Sequence, residues 1–134
     1  GGSVVESKEG KMRAVFLSSQ MAIHASLDIL TRSRLLQENL RRERIEVSFI
    51  QAVFCGQALL VPGFHGSYYS GLVARVMDRM LQKCRPMDIL VSESAYQNED
   101  LDTTLNNYQI QKFIEKVTLD DTQETLKVWR LCYA

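Results

Sequence analysis

The chain has 134 residues, of which 46% are apolar and 24% charged, with only seven glycines and two prolines. These proportions belong to a folded globular chain and exclude a disordered, collagen-like or low-complexity one. Sixteen basic residues balance sixteen acidic ones, which argues against broad electrostatic binding to nucleic acid.

The balance is uneven along the chain. Residues 1–85 hold twelve Lys/Arg against seven Asp/Glu, and residues 86–134 hold four against nine. Such a split either marks a partner surface or lets the two halves neutralise each other. Three cysteines, Cys55, Cys84 and Cys132, are odd in number and far apart, so they form no disulfide framework. Each lies in or beside an apolar run, which points to a reducing intracellular compartment, cytoplasm or nucleus. No apolar run approaches the roughly 18 residues of a membrane span, and the start is no signal peptide. Gly1-Gly2-Ser3 reads as a cloning remnant. Without an initiator Met, the chain reads as an excised piece of a larger protein.

Residues 1–11 are polar and expected to form a frayed tail, leaving 12–134 as a single α+β domain. Met12–Leu17 (MRAVFL) is a buried-strand candidate. A helix follows, starting between Ser19 and Ser26, with Ser26 as a candidate N-cap. Ile23, Leu27 and Leu30 begin its apolar stripe, and Ile29, Leu36 and Leu40 are expected to continue it. Arg41, Arg42 and Arg44 crowd its end, where cations suit the helix dipole. Ile45–Phe54 alternates as a strand. Cys55-Gly56-Gln57 is short enough to turn it into a second strand, Ala58–Val61. Ser67 is expected to cap a second helix with Tyr69, Leu72, Val73, Val76, Met80 and Leu81 on one side. Pro86 stops it. Met87–Val91 is another buried strand. Residues 108–116 fit either helix or strand, and the spacing of Ile110, Phe113, Ile114 and Val117 favours helix. Val117–Leu119 and Leu126–Tyr133 read as a terminal hairpin.

This order predicts an α+β, ferredoxin-like βαββαβ sandwich, with an antiparallel sheet and helices on one face. A C-terminal helix and β-hairpin extend it. The alternative is a three-layer α/β sandwich.

Chemistry-bearing motifs are sparse. Pro62–Tyr69 (PGFHGSYY) lies where a strand meets the expected helix start. Free N–H groups there attract anions, so Gly63, His65, Gly66 and Ser67 form a candidate anion or nucleotide site. Gly66 and Gly71 have P-loop spacing, but Leu72-Val73 stand where Lys and Ser/Thr are required. Gly63-x-x-Gly66 has the spacing of a KH clamp, without the two helices that motif joins. Cys55 and His65 could pair as nucleophile and base in an enzyme pocket. Two His and three Cys at these spacings make no zinc site. Glu99, Asp100 and Asp102 could attract Mg²⁺ or Ca²⁺ but read better as a solvated helix start. Arg41, Arg42 and Arg44 could meet phosphates, although Glu38, Glu43 and Glu46 blunt their field. No metal or cofactor is expected.

The last segment, Leu126–Tyr133, is apolar on both faces, more than a sheet edge tolerates uncovered. Trp129, Leu131, Tyr133 and Tyr68 are therefore expected to form a partner interface. The leading expectation is a non-catalytic interaction or dimerisation domain rather than an enzyme. The alternative is a small-ligand, anion or nucleotide-binding domain, and RNA belongs to the same alternative.

Overall fold

The computed structural model describes residues 3–8, 10–55, 59–63, 66–70, 72–97, 101–119 and 124–133. The chain forms an α+β sandwich of the ferredoxin-like kind. Its main sheet has four strands in the order β3 (Gln51–Val53), β6 (Ile89–Ser92), β8 (Glu124–Tyr133) and β7 (Ile110–Leu119). The sheet is mixed. β3 runs parallel to β6, while β8 is antiparallel to both β6 and β7.

Two ribbons stand apart from that sheet. β1 (Ser3–Lys8) pairs with β2 (Lys11–Val15), so residues expected in a frayed tail form a strand, and the first strand lies outside the main sheet. Gly10, at φ +77°, makes the turn between them. β4 (Leu59–Gly63) pairs with β5 (Gly66–Ser70). The strand after Cys55 therefore pairs forward with β5 and not back onto β3.

Helix α1 (Ser19–Arg42) starts earlier than Ser26. Ser18 is its N-cap, its Oγ accepting the Met21 N–H at 3.1 Å, and Ser26 is buried mid-helix. The buried line runs through Ile23, Ser26, Leu27, Leu30 and Ser33, the true 3.6-residue repeat. Ile29 and Leu36 fall off that line and are 38% and 45% exposed. The helix ends in a Schellman arrangement. Ile45 N–H donates to Leu40 O and Arg44 N–H to Arg41 O, with Arg44 left-handed at φ 63°.

Helix α2 (Leu72–Lys83) buries Val76 and Met80, whereas Val73 is only half-buried. Alternation along β6 then divides the helices between the two faces of the sheet, rather than gathering them on one face as expected. Ile89 and Val91 pack with Ile23, Leu27 and Leu30 of α1, together with Val53 and Leu131. Leu90 packs with Val76 and Met80 of α2, together with Val117 and Val128. Burying roughly 1.5–3 kcal/mol of apolar side chain at each such position accounts for the permanence of the layers.

After β6 come a single turn α3 (Glu93–Tyr96) and a short helix α4 (Leu101–Asn107). Residues 110–119 are a strand rather than a helix. Ten cross-strand pairs with β8, from Ile110↔Tyr133 to Leu119↔Glu124, outweigh the helical spacing of the local apolar residues. The terminal hairpin is thus longer than expected. Among the described residues, no helix is long and apolar enough to cross a membrane.

Candidate functional site

The β7–β8 hairpin and the α3–α4 segment meet at one rim of the sheet, and there the polar chemistry concentrates. Trp129 lies on β8, on the face it shares with Leu131, opposite Ile114 of β7. Its position is set by register, because Val91 of β6 pairs with it on the other side. Tyr96 arrives from α3, which Ser92 anchors. Ser92 Oγ accepts the N–H groups of Ala95 (3.3 Å) and Cys55 (3.4 Å). Ser94 Oγ lies 2.9 Å from Ser92 Oγ and donates to Cys55 O at 2.9 Å. These hydroxyls tie the end of β3 to α3 and fix where Tyr96 projects.

The Tyr96 and Trp129 rings stack with centroids 5.0 Å apart and planes inclined by 30°. Lys112, on β7, holds its Nζ 5.1 Å from the Trp129 centroid and 5.4 Å from the Tyr96 centroid. Lys127, on β8, places its Nζ 6.0 Å from Trp129. Each ammonium meets one carboxylate. Lys112 is 2.6 Å from Asp102 Oδ1, and Lys127 is 3.2 Å from Glu93 Oε1. Tyr96 Oη also donates to Asp102 Oδ1, at 2.8 Å.

Proton affinities follow from these contacts. The Lys112 hydrogen bond, then that of Tyr96, holds the Asp102 carboxyl below its usual range. The Asp102 hydrogen bond raises Lys112, which stays an ammonium. Burial, and next the Asp102 hydrogen bond, push the Tyr96 phenol up, so it remains an O–H donor. Both rings are half-buried and Ile114 beside them is 54% exposed, so the shelf opens to solvent along β7. An aromatic shelf with two ammonium groups at its margins can stack a planar ring and bind an anion on the same ligand.

A second charged group lies on the opposite face. Asp88 is buried, and its Oδ2, 3.6 Å from Arg130 Nη1, has no aligned hydrogen-bond donor among the described residues. Arg130 Nε stands 2.6 Å from Glu115 Oε1 as an ion-pair contact rather than an aligned hydrogen bond. Its guanidinium lies 4.9 Å from the Phe113 ring centroid. Burial raises Asp88 above the ordinary carboxylate range, against the pull of Arg130.

The residues singled out from sequence fare differently. Leu131 is fully buried and belongs to the α1 core, so it offers nothing to a partner. Tyr133 is half-buried, 3.2 Å from Thr31 Oγ1, and lies beneath Arg34 at 4.3 Å. Trp129 has Tyr96 and two lysines around it. The apolar excess of the last strand is thus largely spent inside the chain. Tyr68 and Ser67 sit in β5, paired with Val61 and Pro62, and Gly63 pairs with Gly66. No helix starts at Ser67, so the N–H groups expected to receive an anion there belong to a hairpin. His65, Glu99 and Asp100 lie outside the described residues. Cys55 is exposed, two residues past the end of β3. Arg41 lines a cleft of about 470 Å³ with Gln37, Glu46, Ser48 and Pro86, which Arg42 and Arg44 do not line. Among the described residues, no three potential metal ligands stand together.

The sequence singles out Trp129 as an interface anchor, but not the companions the structure sets around it. Tyr96, Lys112 and Lys127 are separated by 16 and 15 positions in the chain, and only the strand register assembles them. The alternation of lysines with Ile110 and Ile114 along β7 was the one local signal.

No family model matches the chain, and no curated protein does. Among solved structures, the chain is similar to the crystal structure of an adenylate/guanylate cyclase/hydrolase from Silicibacter pomeroyi. The two are 18% identical with a TM-score of 0.71, over 100% of this chain and 73% of that one. The likeness is one of fold. A fold shared with a protein named as a cyclase/hydrolase runs against the expectation of a non-catalytic interaction domain, which rested on Trp129, Leu131, Tyr133 and Tyr68, and against that of a non-enzyme, which rested on the lack of a catalytic motif at recognisable spacing.

Proposed function

We propose that this chain binds a nucleoside phosphate at the Tyr96–Trp129 shelf, as a domain built on a cyclase-like fold for nucleotide chemistry. The observation that carries the reading is the stacked ring pair with Lys112 and Lys127 at its margins. A base stacked against an aromatic ring gains roughly 1–3 kcal/mol, and an ammonium–phosphate contact is a strong charge-assisted bond. The ligand's two halves match the two halves of the site. Nucleotide chemistry in the name of the structurally similar protein supports the same class. The three free cysteines suit a reducing compartment.

Trp129 is the chain's one tryptophan, so its fluorescence reports on this site alone. Titration with AMP is expected to quench it saturably. Ribose 5-phosphate, which lacks the base, is expected to leave it nearly unchanged. Equal responses to both, or none to AMP, refute the reading.

A further inference from the structure

The carboxylates of the shelf occupy the places an anion would take. Asp102 Oδ1 lies 2.6 Å from Lys112 Nζ and Glu93 Oε1 lies 3.2 Å from Lys127 Nζ. Both carboxylates come from one segment, since Glu93 opens α3 and Asp102 stands in the first turn of α4. Both lysines come from the β7–β8 hairpin. Two ion pairs therefore bridge the same two parts of the chain, one on each flank of Trp129. All four side chains are partly open to water, with 61% of Asp102 and 48% of Glu93 exposed. Exposed pairs of this kind exchange partners at low cost.

We infer that Asp102 and Glu93 are internal competitors for the phosphate, and that a nucleotide enters the shelf by displacing them from Lys112 and Lys127. The inference rests on the reading of the shelf as a nucleoside-phosphate site. Displacement leaves Asp102 the Tyr96 hydroxyl as a hydrogen-bond donor, so its carboxylate is not stranded. Glu93, at the surface, returns to water. The segment thus sets the affinity of the site by holding the lysines in reserve, and in the empty shelf Lys112 and Lys127 each face a carboxylate.

The test is affinity for AMP, read by Trp129 fluorescence, in the full chain and in Asp102→Asn and Glu93→Gln. Asparagine still accepts from Tyr96, and both positions are exposed, so circular dichroism and melting are expected to match the parent. Each variant is expected to bind AMP roughly two- to fivefold more tightly, the range for removal of one exposed competing pair. The double variant is expected to gain further. Adenosine, having no phosphate, is expected to bind the parent and the variants alike. If the parent binds AMP while both variants bind it equally well or more weakly, the carboxylates are not competitors and the exchange is refuted, though the shelf stands. If nothing quenches Trp129 in any form, the shelf reading fails and the exchange falls with it.

Discussion

Lys112→Met separates the structural from the ligand-binding role of the shelf. Methionine keeps an unbranched stem of similar length over the rings and removes only the ammonium. The lost attraction to Trp129 and Tyr96, at 5.1 and 5.4 Å, amounts to about 0.5–1 kcal/mol for a partly exposed cation. Loss of the Asp102 pair adds little, because that carboxylate is well exposed and regains water. For a chain of this size, such a loss lowers the melting temperature by about 2–6 °C. Binding should suffer far more. An ammonium bonded to a phosphate contributes about 1.5–3 kcal/mol, so AMP affinity is expected to fall roughly 10- to 100-fold. Thermal melting by circular dichroism and titration by Trp129 fluorescence measure the two effects on one sample. A melting point lowered by more than about 10 °C would make Lys112 a core support. Unchanged AMP affinity with normal melting would remove the ammonium from the site.

Three further outcomes test the fold. Val76→Asp places an unpaired charge among Met80, Leu90, Val117 and Val128, costs several kcal/mol and should leave no cooperative melt, whereas Val73→Asp, half-buried, should still fold. At about pH 8, a thiol reagent should label Cys55 rapidly and Cys84 slowly, because burial pushes the Cys84 thiol up to about 11 and its Sγ donates to Gln51 O at 3.2 Å; equal rates would show Cys84 open. Asp88, raised above 3.8 in the fold, contributes stability that is fully present below 3.8 and lost as pH rises through its folded value. Urea midpoints of the parent should therefore rise, relative to Asp88→Asn, as pH falls from neutrality towards 3.8, and parallel profiles would refute the buried charge.

The α+β class was legible because helix and strand periods are local properties. The line Ile23, Leu27 and Leu30 identifies the inner face of α1, and Val76 and Met80 identify that of α2. What failed were choices that local pattern leaves open. Residues 110–117 satisfy both a helical and a strand reading, and only the partner strand 124–133 decides between them. Ser67 looks like a cap because Ser before an apolar stripe usually is one. Here its neighbours Gly63 and Gly66 close a hairpin first, and the helix waits until Leu72. Separation hid the site for the same reason. Tyr96 owes its position to Ser92 and Cys55, and Lys112 to the register with β8.

Lysines on a sheet need an explanation before they become evidence of a ligand, because edge strands carry them to discourage pairing with other chains. β7 is the edge of the main sheet, and Lys112 and Lys116 lie on it. Edge protection accounts for both being charged. It does not by itself place a cation beside Trp129 on β8, where Lys127 stands one residue past the last β6 pair, Ser92↔Val128, and meets Glu93 of α3. Nor does it account for direction. Lys116 and Lys127 are directly opposed across the strand pair, an arrangement of like charges that costs stability. Glu93, 3.2 Å from Lys127, offsets that repulsion in the empty shelf, and the phosphate proposed to displace it takes over the same role beside Trp129.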